Sequence, residues 1–365
     1  MEIPNLLHPA VTAKHSATTG GIRQVAMTAG VSIATVSRAF NHPDTVSEKT
    51  RKRVIEAANQ LFYIADNAAK ALSSQRSLRV GALIPTIDDS IFARFITSLQ
   101  RELGEEGYSL ILGINEFDPE IEMKELRDLI ESGIDAIVLC GERRDEEVYD
   151  LLRARNIPYL LTNVYLPDSP HPNVGYDNHL GAAKAAKYLI DQGHQHFGCI
   201  DFPAKKNDRA EMRVNGVIAI LEKHGLALRP DCHIERPFGF EDGRIGLRTL
   251  LDHAPDTTAI LCGNDVLAIG ALFEARERGL NVPEDLSIIG FDDLDIASQI
   301  SPGLTTVDVP TSVMGKRAAE TLLLMLAGSP APHATPISTN LIIRGTTGPA
   351  PVKSPGHRSR TEKED

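Results

Sequence analysis

From Ile22 to Leu61 the apolar residues recur at the three- and four-residue spacing of short helices that share one core. Ile22, Val25, Ala26 and Ala29 fall on one face of a first helix, Val36 with Phe40 on a face of a second, and Val54, Ala57, Ala58 and Leu61 on a stripe of a third. The first two are separated by Ala29-Gly30-Val31, where glycine supplies the left-handed backbone that a side chain resists. Ala26 is small enough to let the second helix cross closely. Ser32 and Ser47 stand where the N-caps of the second and third helices belong. This pattern predicts an all-α helix-turn-helix domain over residues 21–65, after a flexible lead at 1–20.

The next segment, "ADNAAKALSSQRS", predicts a short alanine-rich helix capped by Asp66 and ending near Leu72, within a linker spanning 66–78. From Arg79 the period changes. "RVGALIP", "SLILGIN", "DAIVLC" and "PYLLTN" are short apolar runs suited to buried parallel strands, alternating with amphipathic helices such as "FARFITSLQRELGEEG". After "HLGAAKAAKYLIDQG" a second series begins, with strands "HFGCID", "TTAILCGN" and "LSIIGFDD" and helices near 210–224, 242–253 and 265–279. Two α/β lobes with doubly wound parallel sheets are expected over 79–348. The first takes in about 79–192 and 308–335, the second about 193–307 and 336–348. A helix is expected at about 311–326, and the polar, Pro-containing tail 349–365 is expected to be disordered.

Composition narrows the class. The 365 residues are 42% hydrophobic and 24% charged, enough for two or three globular domains. No run approaches the roughly 20 apolar residues of a membrane span, and the first residues lack the basic start of a secretory signal, so a soluble, cytoplasmic protein is expected. Cys140, Cys199, Cys232 and Cys262 are scattered without zinc-ligand spacing, and no metal or cofactor is expected. Residues 21–79 hold nine Lys or Arg against four acids, a net of +5, whereas the whole chain carries −11. A small basic head on an acidic body is the asymmetry expected when one end meets nucleic acid.

In an open α/β sheet a ligand lies beyond the carboxyl ends of the strands. The residues there include Asp88 and Asp89 after "ALIP", Asn264 and Asp265 after "AILCG", and Asp292 and Asp293 after "SIIGF". Each can either cap a helix or contact a ligand, and Asp265, at a helix start, reads best as a cap.

Two sets of motifs carry a family resemblance. "VAMTAGVSIATVSRAFN", "VSEKTRKRVIEAANQLFYI" and "NAAKALSS" resemble the DNA-binding head of the lactose-repressor (LacI/GalR) family of bacterial transcription regulators. "NVGYDNHLGAA", "RAEMRVNGVIAIL", "TTAILCGNDVLAIGAL", "GLNVPEDLSIIGFDDLDIA" and "SPGLTTVDVP" resemble its periplasmic-binding-protein-like effector domain, so the resemblance covers about 90% of the chain.

The resemblance implies that the second helix enters the major groove, with Ile33, Ala34 and Arg38 facing base edges. It places Ser32, Thr35, Ser37, Asn41, Ser47 and Thr50 on phosphates and Leu72 in the minor groove, on a hinge helix that folds on DNA. Ala65 departs from the proline many relatives have before that hinge. In the body it implies Arg213, Asn264 and Asp292 as a polar clamp on an effector, with Asp177 as a further contact, Ile91 and Phe92 lining the other lobe, and either Phe238 or Phe240 as an aromatic platform. It also implies that the segment after Leu304 returns to the first lobe and packs on the interface of a homodimer, since the tail lacks the leucine heptads of a tetramer.

The function expected is an allosteric repressor, bacterial and cytoplasmic, nucleoid-associated when bound to double-stranded operator DNA and free of the membrane. Its small-molecule effector is a sugar or sugar acid: Asp88 and Asp89 favour a neutral ligand, while Lys205 and Lys206 could hold a carboxylate or phosphate. A corepressor-dependent regulator with a non-sugar effector is the alternative within the same fold. A solute-binding protein would call for a signal peptide and no basic head. An enzyme is not expected: the chain has no P-loop, GxSxG or HExxH, and His194 with His196 in "QGHQHFG" reads as a solvated turn.

Overall fold

The computed structural model describes residues 21–64, 76–88 and 90–352, except the side chain of Asn41. The expected lead, Ala65, the hinge helix with Asp66 and Leu72, Asp89 and residues 353–365 lie outside the described residues. Residues up to Ser77 and residues from Leu78 onward form two compact units.

The first unit contains α1 (Ile22–Ala29), α2 (Ile33–Asn41) and α3 (Glu48–Gln60). Its core is Val25, Ala26 and Ala29 from α1, Val36 and Ala39 from α2, and Val54, Ala57 and Ala58 from α3, with Phe40 and Tyr63 closing one edge at 5.9 Å between rings. Gly30 ends α1 at φ 63°, and its N–H donates to the Ala26 and Met27 carbonyls. The Ser32 Oγ accepts from the Thr35 N–H at 3.1 Å, which fixes where α2 begins. Ser47 caps α3 through the Thr50 N–H at 3.3 Å.

The second unit holds two six-stranded sheets. The first comprises β1 (Arg79–Ile84), β2 (Ser109–Ile114), β3 (Ala136–Cys140), β4 (Tyr159–Thr162), β5 (Asn173–Gly175) and β11 (Ala334–Pro336), in the order β11-β5-β4-β3-β1-β2. The second comprises β6 (Phe197–Asp201), β7 (His233–Glu235), β8 (Ala259–Cys262), β9 (Ser287–Asp292), β10 (Thr305–Asp308) and β12 (Asn340–Ile342), in the order β12-β10-β9-β8-β6-β7. Among the described residues every pairing is parallel except β10 with β12. The central strands β3 and β9 are buried along their whole length, as strands covered by helices on both faces must be.

The flanking helices are α4 (Ser90–Glu105), α5 (Pro119–Glu131) and α6 (Glu146–Ala154) in the first lobe, and α7 (Asn178–Asp191), α8 (Asp208–Lys223), α9 (Phe240–His253) and α10 (Asp265–Glu277) in the second. The last helix, α11 (Thr311–Leu326), returns to the first lobe and crosses α4 so closely that a Cβ on Gly315 would lie 2.6 Å from the Phe95 carbonyl oxygen.

Three expectations change. The helix at 178–191, expected in the first lobe, packs on α8, where Gly216 lies against the His179 backbone, and on the second sheet, where Gly181 lies against the Phe291 ring, so the lobe boundary falls before Asn178. His194 is not in a solvated turn: it is buried and holds Thr258 at 2.9 Å, Ser287 at 3.1 Å and the Gly348 carbonyl at 3.1 Å. The start of the tail is tied to the second lobe, with the Ala350 N–H donating to the Gln192 carbonyl at 2.9 Å.

Candidate functional site

On the head, the capped start of α2 turns Ile33, Ala34 and Arg38 outward while Val36 and Ala39 go into the core. Ile33 is 45% exposed, a large apolar side chain left in water at the first turn of a helix. The Arg38 Nε donates to the Ala34 carbonyl of its own helix at 3.3 Å. Ser32 and Thr35 share a 2.9 Å hydrogen bond between their hydroxyls, as do Ser47 and Thr50, so all four groups lie exposed or half-buried at helix N-termini, where partial positive charge favours a phosphate. Ser37 is half-buried on α2.

The second unit carries a cleft at the carboxyl ends of both sheets. From the first lobe come Ile91 and Phe92 at the start of α4, Phe117 after β2, Asn163 after β4 and Tyr176 after β5. From the second come Asn207, Arg209 and Arg213 around α8, Phe238 before α9, Gly263 and Asn264 after β8, and Asp292 at the end of β9.

Arg213, Asn264 and Asp292 meet here, and each is held by its surroundings. Arg213 is 8% exposed and gives a forked pair of hydrogen bonds to Asp201, Nε to Oδ2 at 3.1 Å and Nη2 to Oδ1 at 2.8 Å. Its Nη1 reaches the Asn178 Oδ1 at 3.3 Å, and its guanidinium lies 5.3 Å from the Phe291 ring centroid. Burial acts against its charge, but Asp201 overrides that and the pKa is raised. The Asn264 Oδ1 caps α10 through the Leu267 N–H at 2.8 Å, leaving its buried Nδ2 without a partner among the described residues. Asp292 is 6% exposed and sits at φ 114°, a conformation that costs a residue with a side chain on the order of 1–3 kcal/mol.

Other expected residues fall elsewhere. Asp177 caps α7, its Oδ1 accepting from the Leu180 N–H at 2.8 Å, and does not line the cleft. Of the two aromatic candidates, Phe238 lines the cleft and stacks on Phe202 at 4.5 Å, while Phe240 is half-exposed on α9 against Phe273. Asp265 is not the cap of α10: Asn264 is. Asp265 is instead fully buried, accepting from the Thr306 hydroxyl and, at 2.7 Å, from the Leu294 N–H, and burial pushes its pKa up to about 7. Lys205 and Lys206 are exposed and line a neighbouring opening with Asp118 and Arg143, apart from Arg213. Asp88 is exposed, its N–H held by the Thr86 hydroxyl at 3.0 Å.

Sequence reasoning passed over Asp201, Phe117, Phe202, Asn207 and Arg209. Asp201 had a signal, since it ends the apolar run "FGCID" at a strand end. Phe117 and Phe202 had none, because they sit on irregular backbone in different lobes and meet only through the tertiary fold, at 4.5 Å between rings. The lobes are also joined by Asp208, which accepts from the N–H groups of Glu142 at 2.6 Å and Arg143 at 3.0 Å, and by the Arg94–Asp295 pair at 2.7 Å. Among the described residues no group of His, Cys, Asp and Glu could hold a metal, and no helix is long and apolar enough to cross a membrane.

Comparison with known proteins gives the same two parts. Residues 21–66 match the profile described as bacterial regulatory proteins, lacI family, and residues 186–347 that of a periplasmic binding protein-like domain. The HTH-type transcriptional repressor CytR of Escherichia coli K12 is 33% identical over 341 residues, covering 93% of this chain and 99% of that protein. The ribose operon repressor of Haemophilus influenzae is 30% identical over 303 residues, covering 83% and 91%. The crystal structure of the lac repressor dimer bound to operator and the anti-inducer ONPF superposes with a TM-score of 0.82 at 25% identity, covering 90% of this chain and 99% of that one.

Proposed function

Because the chain belongs to the lacI family of bacterial regulatory proteins, we propose that it represses transcription by binding operator DNA through α2 and answers to a small molecule held between its lobes. The observation that carries this reading is the coexistence, in one chain, of a Ser32-capped helix exposing Ile33, Ala34 and Arg38 and a cleft gathering Arg213, Asn264 and Asp292.

On DNA, α2 lies in the major groove. Arg38 releases its bond to the Ala34 carbonyl and reads a guanine through two hydrogen bonds, worth about 1–3 kcal/mol of discrimination, while Ile33 and Ala34 supply apolar contact such as a thymine methyl provides. Ser32, Thr35, Ser37, Asn41, Ser47 and Thr50 hold phosphates and set the register. Leu72 wedges into the minor groove from a hinge helix. The chain works as a homodimer on a near-palindromic operator, as the dimeric relative supports, and acts in the cytoplasm as a regulator rather than an enzyme.

Control is a shift of population. Asp292 and Asn264 grip a ligand from the second lobe while Phe92 and Phe117 close on it from the first. The ligand thereby favours one lobe arrangement over another, with a coupling of about 1–3 kcal/mol at the operator. The test is operator affinity of the full chain across a panel of sugars, sugar acids and other ring compounds. A compound that shifts affinity in the wild type and not in Asp292→Ala supports the reading; compounds that bind the cleft without moving operator affinity refute it.

A further inference from the structure

The buried charges around the cleft are matched pair by pair, and the pairing restricts what the cleft can hold. Arg209 faces Asp208 at 2.8 Å and Arg213 faces Asp201 at 2.8 Å, each with both partners less than 10% exposed. Asp292, 6% exposed, is the carboxylate that lines the cleft beside these two paired guanidinium groups. The lysines that could have tipped the balance, Lys205 and Lys206, lie in the neighbouring opening.

The Asp201–Arg213 pair is built into the fold. Asp201 ends β6 and its Oδ1 also accepts from the Phe202 N–H at 2.7 Å. Across from it Gly263 carries no side chain, and a Cβ there would overlap the Asp201 carboxylate. The fork from Nε and Nη2 takes the two donors that would otherwise present a bidentate cradle to a carboxylate or phosphate. An anion entering the cleft would shed its water beside Asp292 and find no unmatched cation. A neutral ligand meets no such penalty, and the orphan Asn264 Nδ2 offers it a donor.

We propose that Asp201 sets the ligand class: by cancelling the charge of Arg213 it makes the cleft accept an uncharged ring compound bearing hydroxyl or amide groups and reject carboxylate and phosphate counterparts. This rests on the cleft being the effector site and excludes the sugar acids that the sequence left open. The aromatic surfaces of Phe92, Phe117 and Phe238 suit the flat faces of such a ring.

The experiment uses inorganic phosphate as the anion probe, titrated calorimetrically into the full-length wild type, Asp201→Asn, Arg213→Gln and the double variant at low ionic strength. Phosphate is expected to bind Asp201→Asn at least about tenfold more tightly than the wild type, with the gain abolished in the double variant. Wild-type binding that disappears in Arg213→Gln, or no gain in Asp201→Asn, overturns the proposal. Wild-type crystals soaked in phosphate supply a measurement independent of any variant's folding: a cleft free of phosphate agrees, and phosphate on Arg213 overturns it. Neither arm uses DNA, so a failure of the effector reading would show separately, as operator affinity that no cleft-bound compound moves.

Discussion

Asp208, at the start of α8 in the second lobe, accepts the backbone N–H of Glu142 from the first lobe at 2.6 Å. It also takes the Arg143 N–H at 3.0 Å, so one buried carboxylate fastens the loop after β3 to the opposite lobe. Gly141 lies against it without a side chain, and a Cβ there would stand 2.7 Å from the Asp208 Oδ1. This contact ties the two lobes together through a side chain of one and the backbone of the other.

Removing the contact opens the lobes. Hydrogen bonds to a charged group contribute about 1.5–3 kcal/mol, so Asp208→Ala is expected to populate an open form. Small-angle scattering of the ligand-free protein checks this: a larger radius of gyration than wild type is expected, and an unchanged profile would show that closure does not depend on Asp208.

Two buried acids give stability opposite pH dependences. Burial pushes the Asp208 carboxyl up, but Arg209 and the Arg143 and Glu142 N–H groups outweigh it and the pKa is lowered; its contribution is complete above the ordinary carboxylate range and is lost as pH falls through the folded value. Asp265 is pushed up to about 7 by burial, so between the unfolded value of 3.8 and about 7 the folded protein keeps a proton the unfolded chain has released. Stability from Asp265 therefore falls as pH rises across that window. Urea denaturation from pH 4 to 8 is expected to lose this fall in Asp265→Asn.

Ser32 sets the start of α2, so Ser32→Ala is expected to destabilise the head by about 1 kcal/mol. Hydrogen exchange of the α2 amides checks it, with faster exchange in α2 and no change in the α/β lobes.

Gly315 permits the closest crossing of α11 over α4. A methyl group there meets the Phe95 carbonyl, the Leu99 N–H and the Ser98 Cβ, so Gly315→Ala is expected to cost about 1–3 kcal/mol through forced separation of the helices. A lower urea midpoint with the same slope would agree.

Much of this was legible in the chain because local chemistry and tertiary burial agree. Ser32, Gly30 and the Val36 face mark the head without help from anything distant, and "DAIVLC" and "LSIIGFDD" read as strands because both their faces are buried. The three-residue strands β5, β7, β11 and β12 escaped because so few residues carry no period. The lobe to which α7 belongs is not legible, because a helix between two lobes carries no sequence mark for which lobe it packs on. Arg213, Asn264 and Asp292 could be named at strand ends and on α8, but the partner that neutralises Arg213 could not, because Asp201 meets it only through the register of β6 beneath α8.

The most direct test is fluorescence anisotropy of full-length wild type and Arg38→Ala on the duplex that wild type selects from a random pool, beside an unrelated duplex of equal length. Arg38→Ala is expected to weaken binding to the selected duplex by about 1–3 kcal/mol and to bring it near the affinity for the unrelated one. Equal affinity of both proteins for both duplexes would contradict the assignment of α2 as the helix that reads DNA.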